Sequence, residues 1–423
     1  MPMHTLLLIL NLAIAGLFVL CYFNQFLYIF VALFKKDPPH KGEPVPHRFA
    51  VLIAARNEEG VIANLVDSLT AQRYPRELYD IFVGADNCTD DTARVAAAHG
   101  AIVYERENKK ERGKGYVLDF LLSSIDRDYG ADRYDAYLIF DADNLVTPDF
   151  LTEINKTYSD GYRLVTSYRN TQNYGDSWLS AGSGLWYLRD SRYLNGARHK
   201  LGSCCFVGGT GYLFSREVKE ECGGFPFHLL TEDAELSSYL ALKGEVIGYC
   251  PTAEFFDEQP VTLKDSIRQR TRWIQGGAQV FRRYGLRLLR GIFSKKFLTC
   301  YDFSMSMAPA YFLSMLAVAA NTVCLILGAI TGDFLLTLLQ TGILVAACYL
   351  FVLFFGLVAT LSEWDKIHAP TRKKLKGILT FPLFMLSYVP VCIAAIFKKA
   401  EWVPVKHNGV ASAEEVCRTK AKK

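Results

Sequence analysis

The sequence predicts an α/β domain with a mostly parallel sheet, inserted between membrane-spanning segments. Three observations predict it. Between Phe49 and Phe140, short strand-favouring runs alternate with helical spacings, and such alternation builds parallel sheets through right-handed crossovers. Those runs are almost wholly apolar, as in strands buried on both faces. Long uncharged apolar stretches lie on either side, at residues 5–34, 307–330 and 334–361.

The chain has 423 residues, enough for about two or three domains. It is 51% hydrophobic, with 28 Phe and 23 Tyr. Its net charge of +4 is small, and the basic residues sit beside apolar segments, a pattern of membrane surfaces rather than nucleic-acid clefts. Membrane lipids are therefore expected partners and nucleic acid is not. Eleven Cys occur without CxxC pairs; Cys204 and Cys205 are adjacent, and Cys21, Cys300, Cys324, Cys348 and Cys392 lie in apolar runs. These read as buried reduced thiols, neither disulfides nor zinc ligands.

Residues 5–34 exceed the roughly 20 needed to cross a bilayer, and no basic region precedes them as in a signal peptide. Lys35 and Lys36 follow at once, so the positive-inside rule puts Met1 outside and the next domain in the cytoplasm of a multi-pass cell-membrane protein. Residues 1–36 form the first span, 37–297 the catalytic region, 298–400 a C-terminal membrane region and 401–423 a terminal segment. Strands are expected at Phe49 to Ala55, Tyr79 to Ala85, Ala101 to Tyr104 and Ala136 to Phe140. Helices are expected at Glu58 to Ala71, from a Thr89 or Asp90 cap through His99, and at Lys114 to Ile125. Two segments rich in aromatic and basic residues, near 178–200 and 265–290, read as interfacial amphipathic helices. Residues 307–330 and 334–361 leave and re-enter the cytoplasm. The run from Ile378 to Phe397, with Pro382 and Pro390 and basic residues at both ends, reads as re-entrant or interfacial, with a third span as the alternative.

In open α/β sheets ligands gather at the carboxyl ends of the strands. Here each such end is polar: Arg56-Asn57-Glu58, Asp86-Asn87-Cys88, Glu105-Arg106 and Asp141-Ala142-Asp143. One residue apart in an extended chain, Asp141 and Asp143 aim at one point. That suits a hard divalent cation with room left for phosphates, although the pair alone also suits a turn. Neither GxGxxG nor GxxxxGK[ST] occurs near these strands, which argues against a dinucleotide oxidoreductase and a P-loop NTPase. Thr231-Glu232-Asp233-Ala234-Glu235 heads a helical stretch; acids there either stabilise the helix dipole or supply a general base. Gln269, Arg272 and Trp273 share a helix face, where an arginine can hold a phosphate.

In this order and between membrane segments, these motifs resemble the membrane-embedded family 2 glycosyltransferases with a GT-A catalytic domain, such as cellulose, chitin-oligosaccharide, hyaluronan and poly-N-acetylglucosamine synthases. The resemblance covers residues 45–290 and, more loosely, the C-terminal segment. Phe-Asp-Ala-Asp-Asn at 140–144 and Gly-Gly-Thr-Gly at 208–211 are similar to bacterial exopolysaccharide synthases. The resemblance implies that Ala55, Arg56, Glu58 and Asp86 hold uracil and ribose, with Lys114 nearby. It implies that Asp141 and Asp143 hold the sugar diphosphate and Mg2+ or Mn2+, and that Gly209 and Thr210 lie beside the acceptor. Asp233, with Glu232, would be catalytic; Gln269, Arg272 and Trp273 would form the acceptor and diphosphate site. Trp402 looks like a gating-loop tryptophan, with Lys406 or His407. The family's commoner Asp-Asp-Gly-Ser is here Asp86-Asn87-Cys88-Thr89, so contacts at Asp86 depart from the pattern.

The implied function is an inverting membrane transferase that uses a UDP-hexose or UDP-N-acetylhexosamine to build a β-linked exopolysaccharide, processively and with coupled translocation. The alternative is non-processive transfer of one sugar to a lipid or polyprenyl-phosphate acceptor. The expected partners are a UDP-sugar donor, a growing glycan or lipid acceptor, and an accessory membrane subunit. A non-catalytic membrane protein with a degenerate domain is the third class, and the intact aspartate, Thr-Glu-Asp and Gln-Arg-Thr-Arg-Trp motifs argue against it.

Overall fold

The computed structural model describes residues 2–398 apart from Ala308. The expected gating-loop residues Trp402, Lys406 and His407, and the tail, lie outside the described residues. The chain opens with α1 (Met3–Phe34), then β1 (Phe49–Ala55), α2 (Ile62–Thr70), β2 (Tyr79–Asp86), α3 (Thr92–Ala98), β3 (Ile102–Arg106), α4 (Lys114–Tyr129), β4 (Ala136–Asp141), β5 (Leu145–Val146), α5 (Phe150–Ser159) and β6 (Leu164–Thr171). Next come α6 (Trp178–Arg189), a π-helical segment (Asp190–Asn195), α7 (Gly196–Leu201), β7 (Tyr212–Ser215), α8 (Arg216–Cys222), α9 (Glu232–Lys243) and β8 (Gly248–Asp257). The C-terminal part holds α10 (Leu263–Gly291), α11 (Phe297–Met307), α12 (Pro309–Thr331), α13 (Phe334–Ser362), α14 (Thr371–Leu386) and α15 (Tyr388–Phe397).

The eight described strands form one mixed sheet in the order β3-β2-β1-β4-β7-β6-β8-β5. The first four are parallel, as their apolar runs predict; β7 pairs antiparallel with β4 and β6, and β8 runs parallel to β6. Alternation along the parallel strands feeds two separate cores. Phe49, Val51 and Ile53 of β1, with Leu138 and Phe140 of β4, pack under α2 and α5. Ala50 and Leu52, with Tyr137 and Ile139, face α4, α6 and α9 in a core that continues to Phe303 of α11 and Phe381 and Phe384 of α14. One apolar layer thus joins the sheet to the helices that follow it. The register lines up Ala55, Asp86, Arg106 and Asp141 along one sheet edge.

Four helical stretches are long and apolar enough to cross a membrane: Met3–Phe34, Pro309–Thr331, Phe334–Ser362 and Thr371–Phe397. The last is broken at Ser387 between α14 and α15. Pro390 lacks the N–H that would reach the Leu386 carbonyl, and Arg270 of α10 fills the break, its Nη1 donating to Ser387 Oγ at 2.7 Å.

The two aromatic-basic segments differ. Residues of α10 are buried along a stripe. In α6, by contrast, small residues are buried on every side: Gly182 lies against Phe384 of α14, and Gly184 against Thr171 of β6. The described cysteines are all free; Cys204, Cys205, Cys250, Cys300, Cys324 and Cys392 are buried, whereas Cys348 is exposed on the surface of α13.

Candidate active site

The strand ends open into a cavity of about 1450 Å³. Two left-handed asparagines follow the first two of these strand ends. Asn57 (φ 57°) and Asn87 (φ 51°) turn the chain sharply after β1 and β2, a conformation asparagine tolerates better than most residues. Asn57 Oδ1 accepts from Thr89 N–H at 2.8 Å, and Asn87 exchanges two hydrogen bonds with the Asn108 backbone. Neither Thr89 nor Asp90, the two expected caps of α3, stands at the N-cap, which is Asp91; Asp90 Oδ1 nevertheless accepts from Thr92 N–H at 3.1 Å.

The cavity brings together Ala55, Arg56, Glu58, Asp86, Lys114, Asp141, Asp143, Gly209, Glu232, Asp233, Gln269, Arg272 and Trp273. Thr210 stands behind the wall instead, buried, accepting from Asp141 N–H at 2.9 Å and donating to Asn144 Oδ1. It orients the aspartate turn rather than facing the cavity. Asp86 reaches the cavity, but Arg106 Nη1 holds its Oδ1 at 2.7 Å.

Lys114 Nζ bridges Asp141 Oδ1 (2.5 Å) and the Gly209 carbonyl (2.7 Å). It reaches them because Gly115 lets α4 start against the Phe227 carbonyl, where a Cβ would come within 1.9 Å. Gly209 and Gly211 have positive φ (85° and 64°); a Cβ on Gly211 would strike the Phe255 ring at 2.2 Å.

Of the three acids that open α9, two face the cavity and one does not. Glu235 is fully buried, with Arg283 Nη1 donating to its Oε1 at 2.6 Å and Leu229 N–H to Oε2 at 3.1 Å. Glu232 and Asp233 line the cavity. Burial raises both carboxyls; repulsion from Asp233 adds to it at Glu232, which is pushed up to about 7, while Lys114 and Arg272 pull the other way. The two titrate as a pair, one that can hold a proton above the usual carboxylate range.

Sequence reasoning missed Arg169, Tyr187, Asp190 and Asp257, all on the cavity wall. Arg169 pairs with Asp257, donates to the Gly208 carbonyl at 2.6 Å and lies 3.7 Å over the Tyr187 ring. Tyr187 in turn meets Trp273 edge to face, with ring centroids 6.4 Å apart. Asp257-Glu258-Gln259 ends β8, so the strand-end rule applied to the first four strands would have found it.

Beyond these polar groups the cavity runs on between α1, α12, α13 and α15. Ile14, Phe18 and Val19 of α1, Val318 and Leu325 of α12, and Leu344 and Val345 of α13 line it there. Asn11, Asn321 and Thr341 lie at its far end; Asn321 Nδ2 donates to Asn11 Oδ1 at 2.9 Å and Thr341 Oγ1 donates to Asn321 Oδ1 at 3.1 Å.

A mixed sheet with an aspartate turn at its central parallel edge, flanked by four apolar helices, defines a GT-A-like transferase. Residues 46–276, more than half of the chain, match the family described as Glycosyltransferase like family 2, and the chain belongs to that family. It is a glycosyltransferase that uses a nucleotide sugar. It is 25% identical over 386 residues to a beta-monoglucosyldiacylglycerol synthase of Nostoc sp., spanning 85% of this chain and 76% of that one. It is 26% identical over 254 residues to a poly-beta-1,6-N-acetyl-D-glucosamine synthase of Staphylococcus aureus, spanning 57% of this chain and 56% of that one. A mannosyltransferase from Pyrobaculum calidifontis, solved in complex with GDP-Man and Mn2+, shares the fold, with a TM-score of 0.58 at 18% identity over 91% of this chain and 98% of that one.

Proposed function

We propose that the protein transfers one sugar from a UDP-sugar, with inversion, to a lipid acceptor drawn from the membrane, its catalytic region (residues 37–297) facing the cytoplasm. One observation carries this reading: the cavity is continuous from the aspartate turn to an aliphatic wall among the apolar helices. From Gln25 to Asn11 that wall follows α1 for roughly 21 Å at 1.5 Å per residue, a length suited to an acyl chain. Sugar units threaded along it would exchange most of their water for aliphatic surface. Similarity to the glucosyldiacylglycerol synthase extends over 85% of the chain, well beyond the family-matched region.

Ala55, Arg56, Glu58 and Asp86 form the end of the cavity assigned to the nucleoside. Asp141 and Asp143 suit a Mg2+ or Mn2+ ion: two carboxylates leave most of an octahedral shell for diphosphate oxygens and water. Among the described residues no three His, Cys, Asp or Glu side chains form a closed cage, so the substrate would complete the shell. Such an ion supplies positive charge opposite the leaving diphosphate. The protein's own contribution is Arg272 and Lys114, which offset the same charge, and Gln269 and Trp273, which bound the acceptor. Asp233 takes the proton from the acceptor hydroxyl as it attacks the anomeric carbon, and Glu232 beside it sets when Asp233 is free to do so.

A second reading is processive synthesis of a β-linked exopolysaccharide. Tyr22, Gln25, Asn11, Asn321 and Thr341 give the same wall a line of polar groups, and the poly-N-acetylglucosamine synthase is a relative. The test is UDP release by purified protein in lipid, across a panel of UDP-sugars with Mn2+ or Mg2+, with products resolved by size. A lipid-sized product is expected; a long, glycosidase-sensitive product would replace the first reading with the second.

A further inference from the structure

Arg189, Asp190, Leu194 and Arg198 line the cavity, and the charges of residues 189–200 are almost all spoken for. Arg192 pairs with Glu363, Arg198 with Asp302 at 2.7 Å, and Lys200 donates to the Ala32 carbonyl. Arg189 Nη2 donates to Gln25 of α1. Asp190 differs. Asp190 lines the cavity, and no described residue makes a side-chain hydrogen bond or ion pair with its carboxylate. It sits where α6 gives way to the π-helical segment, an irregularity common at functional sites. Burial raises its carboxyl, while the positive charges of Arg198, Arg189 and Arg169 pull the other way. Tyr187 is a common neighbour of Asp190, Asp257 and Asp233.

We propose that Asp190 binds a second hydroxyl of the acceptor, next to the one that attacks, so that the acceptor head is a sugar or polyol rather than a single alcohol. This rests on the reading of the cavity as the transferase site. An ionised carboxylate only accepts hydrogen bonds. A diacylglycerol has one hydroxyl, and Asp233 needs it. A glycosyl or polyol head has others, and one of them gives Asp190 the partner that the protein itself does not. Hydroxyl-reading sites discriminate well, because the analogue lacking the group leaves a buried polar atom unpaired.

The experiment compares wild type with Asp190→Asn and Asp190→Glu, as full-length protein in detergent-lipid micelles. The acceptors are diacylglycerol and monoglucosyldiacylglycerol. Wild type is expected to prefer the glycosylated lipid. Asp190→Asn should lower kcat/KM on that lipid, chiefly through acceptor KM, by about 10-fold more than on diacylglycerol. UDP-sugar affinity should hold, and Asp190→Glu should restore part of the loss. Equal losses on both acceptors would mean that Asp190 only balances the nearby arginines, and would overturn the proposal. So would a wild type that transfers only to diacylglycerol, although the lipid reading would then stand. If only a soluble glycan accepts sugar, the lipid reading fails, and Asp190 is tested by comparing that glycan with its deoxy analogue. Loss confined to the hydroxylated form supports the proposal, and equal loss overturns it.

Discussion

The Glu232–Asp233 pair in the cavity and Asp302 at the seam with the membrane helices are both acids buried near arginines, and the protein treats them differently. Asp302 is 1% exposed and fully partnered: Arg198 Nε donates to Oδ2 at 2.7 Å, Tyr28 Oη to Oδ2 at 3.0 Å and Asn24 Nδ2 to Oδ1 at 2.9 Å. Burial would lower the Arg198 guanidinium, but Asp302 reverses this and holds it above its usual range. That cluster ties α1, α7 and α11 together. Glu232 and Asp233 have Lys114 and Arg272 only as neighbouring charges, and burial raises both carboxyls. Satisfied charges hold the seam, while the acids left able to exchange a proton lie where chemistry is assigned. Glu235, two residues beyond Asp233, repeats the contrast within one helical turn.

Three substitutions break this comparison at different points. Asp233→Asn should cut sugar transfer by about 10²- to 10⁴-fold, the usual weight of a general base, with UDP-sugar affinity retained; transfer near the wild-type rate would remove Asp233 from the mechanism. Asp302→Ala should do the reverse, leaving Arg198 as a buried unpaired charge at a cost of about 3–5 kcal/mol. Thermal melts in detergent would detect it, and the residual folded fraction should turn over normally. Arg283→Ala strands the fully buried Glu235 and should cost about 1–3 kcal/mol, because Tyr284 and the Leu229 N–H still reach that carboxylate. A variant as stable as wild type would show that Arg283, which is half exposed, contributes little.

The same contrast explains what the sequence disclosed. Strand β1 spans Phe49–Ala55, the residues predicted, because a run buried on both faces has one reading. Asp141 and Asp143 were legible because a strand end is a local feature. Arg169 and Asp257 obey the same rule on later strands, yet β6 and β8 carry mixed polarity, and their pairing spans long separations in sequence. The aliphatic wall was illegible for a deeper reason. It is assembled from faces of α1, α12, α13 and α15, and nothing in one helix says which others meet it. Composition also misled at 177–201. Its Trp, Tyr and Arg residues resemble those of α10, but its Gly and Ser residues let α14 and β6 close on α6 from both sides. Small residues at helical spacing were the overlooked signal.

The smallest expected effect is also the one that tests the cavity pair directly. A base must be deprotonated to act, so transfer should fall as pH drops through the pair's raised titration, which lies above the ordinary carboxylate range and near 7 at Glu232. Glu232→Gln removes the neighbour whose charge opposes a second ionisation, so the acid limb of kcat/KM should move to lower pH while the rate plateau changes little. Stability carries the opposite sign. A carboxyl raised in the folded state favours folding while it is protonated, and that contribution is lost as pH rises through the folded value. Asp233→Asn should therefore raise Tm relative to wild type at pH 8.5 and change it little at pH 5. An acid limb at the same pH in wild type and Glu232→Gln, together with equal Tm offsets at both pH values, would place the pair among the satisfied acids of the seam.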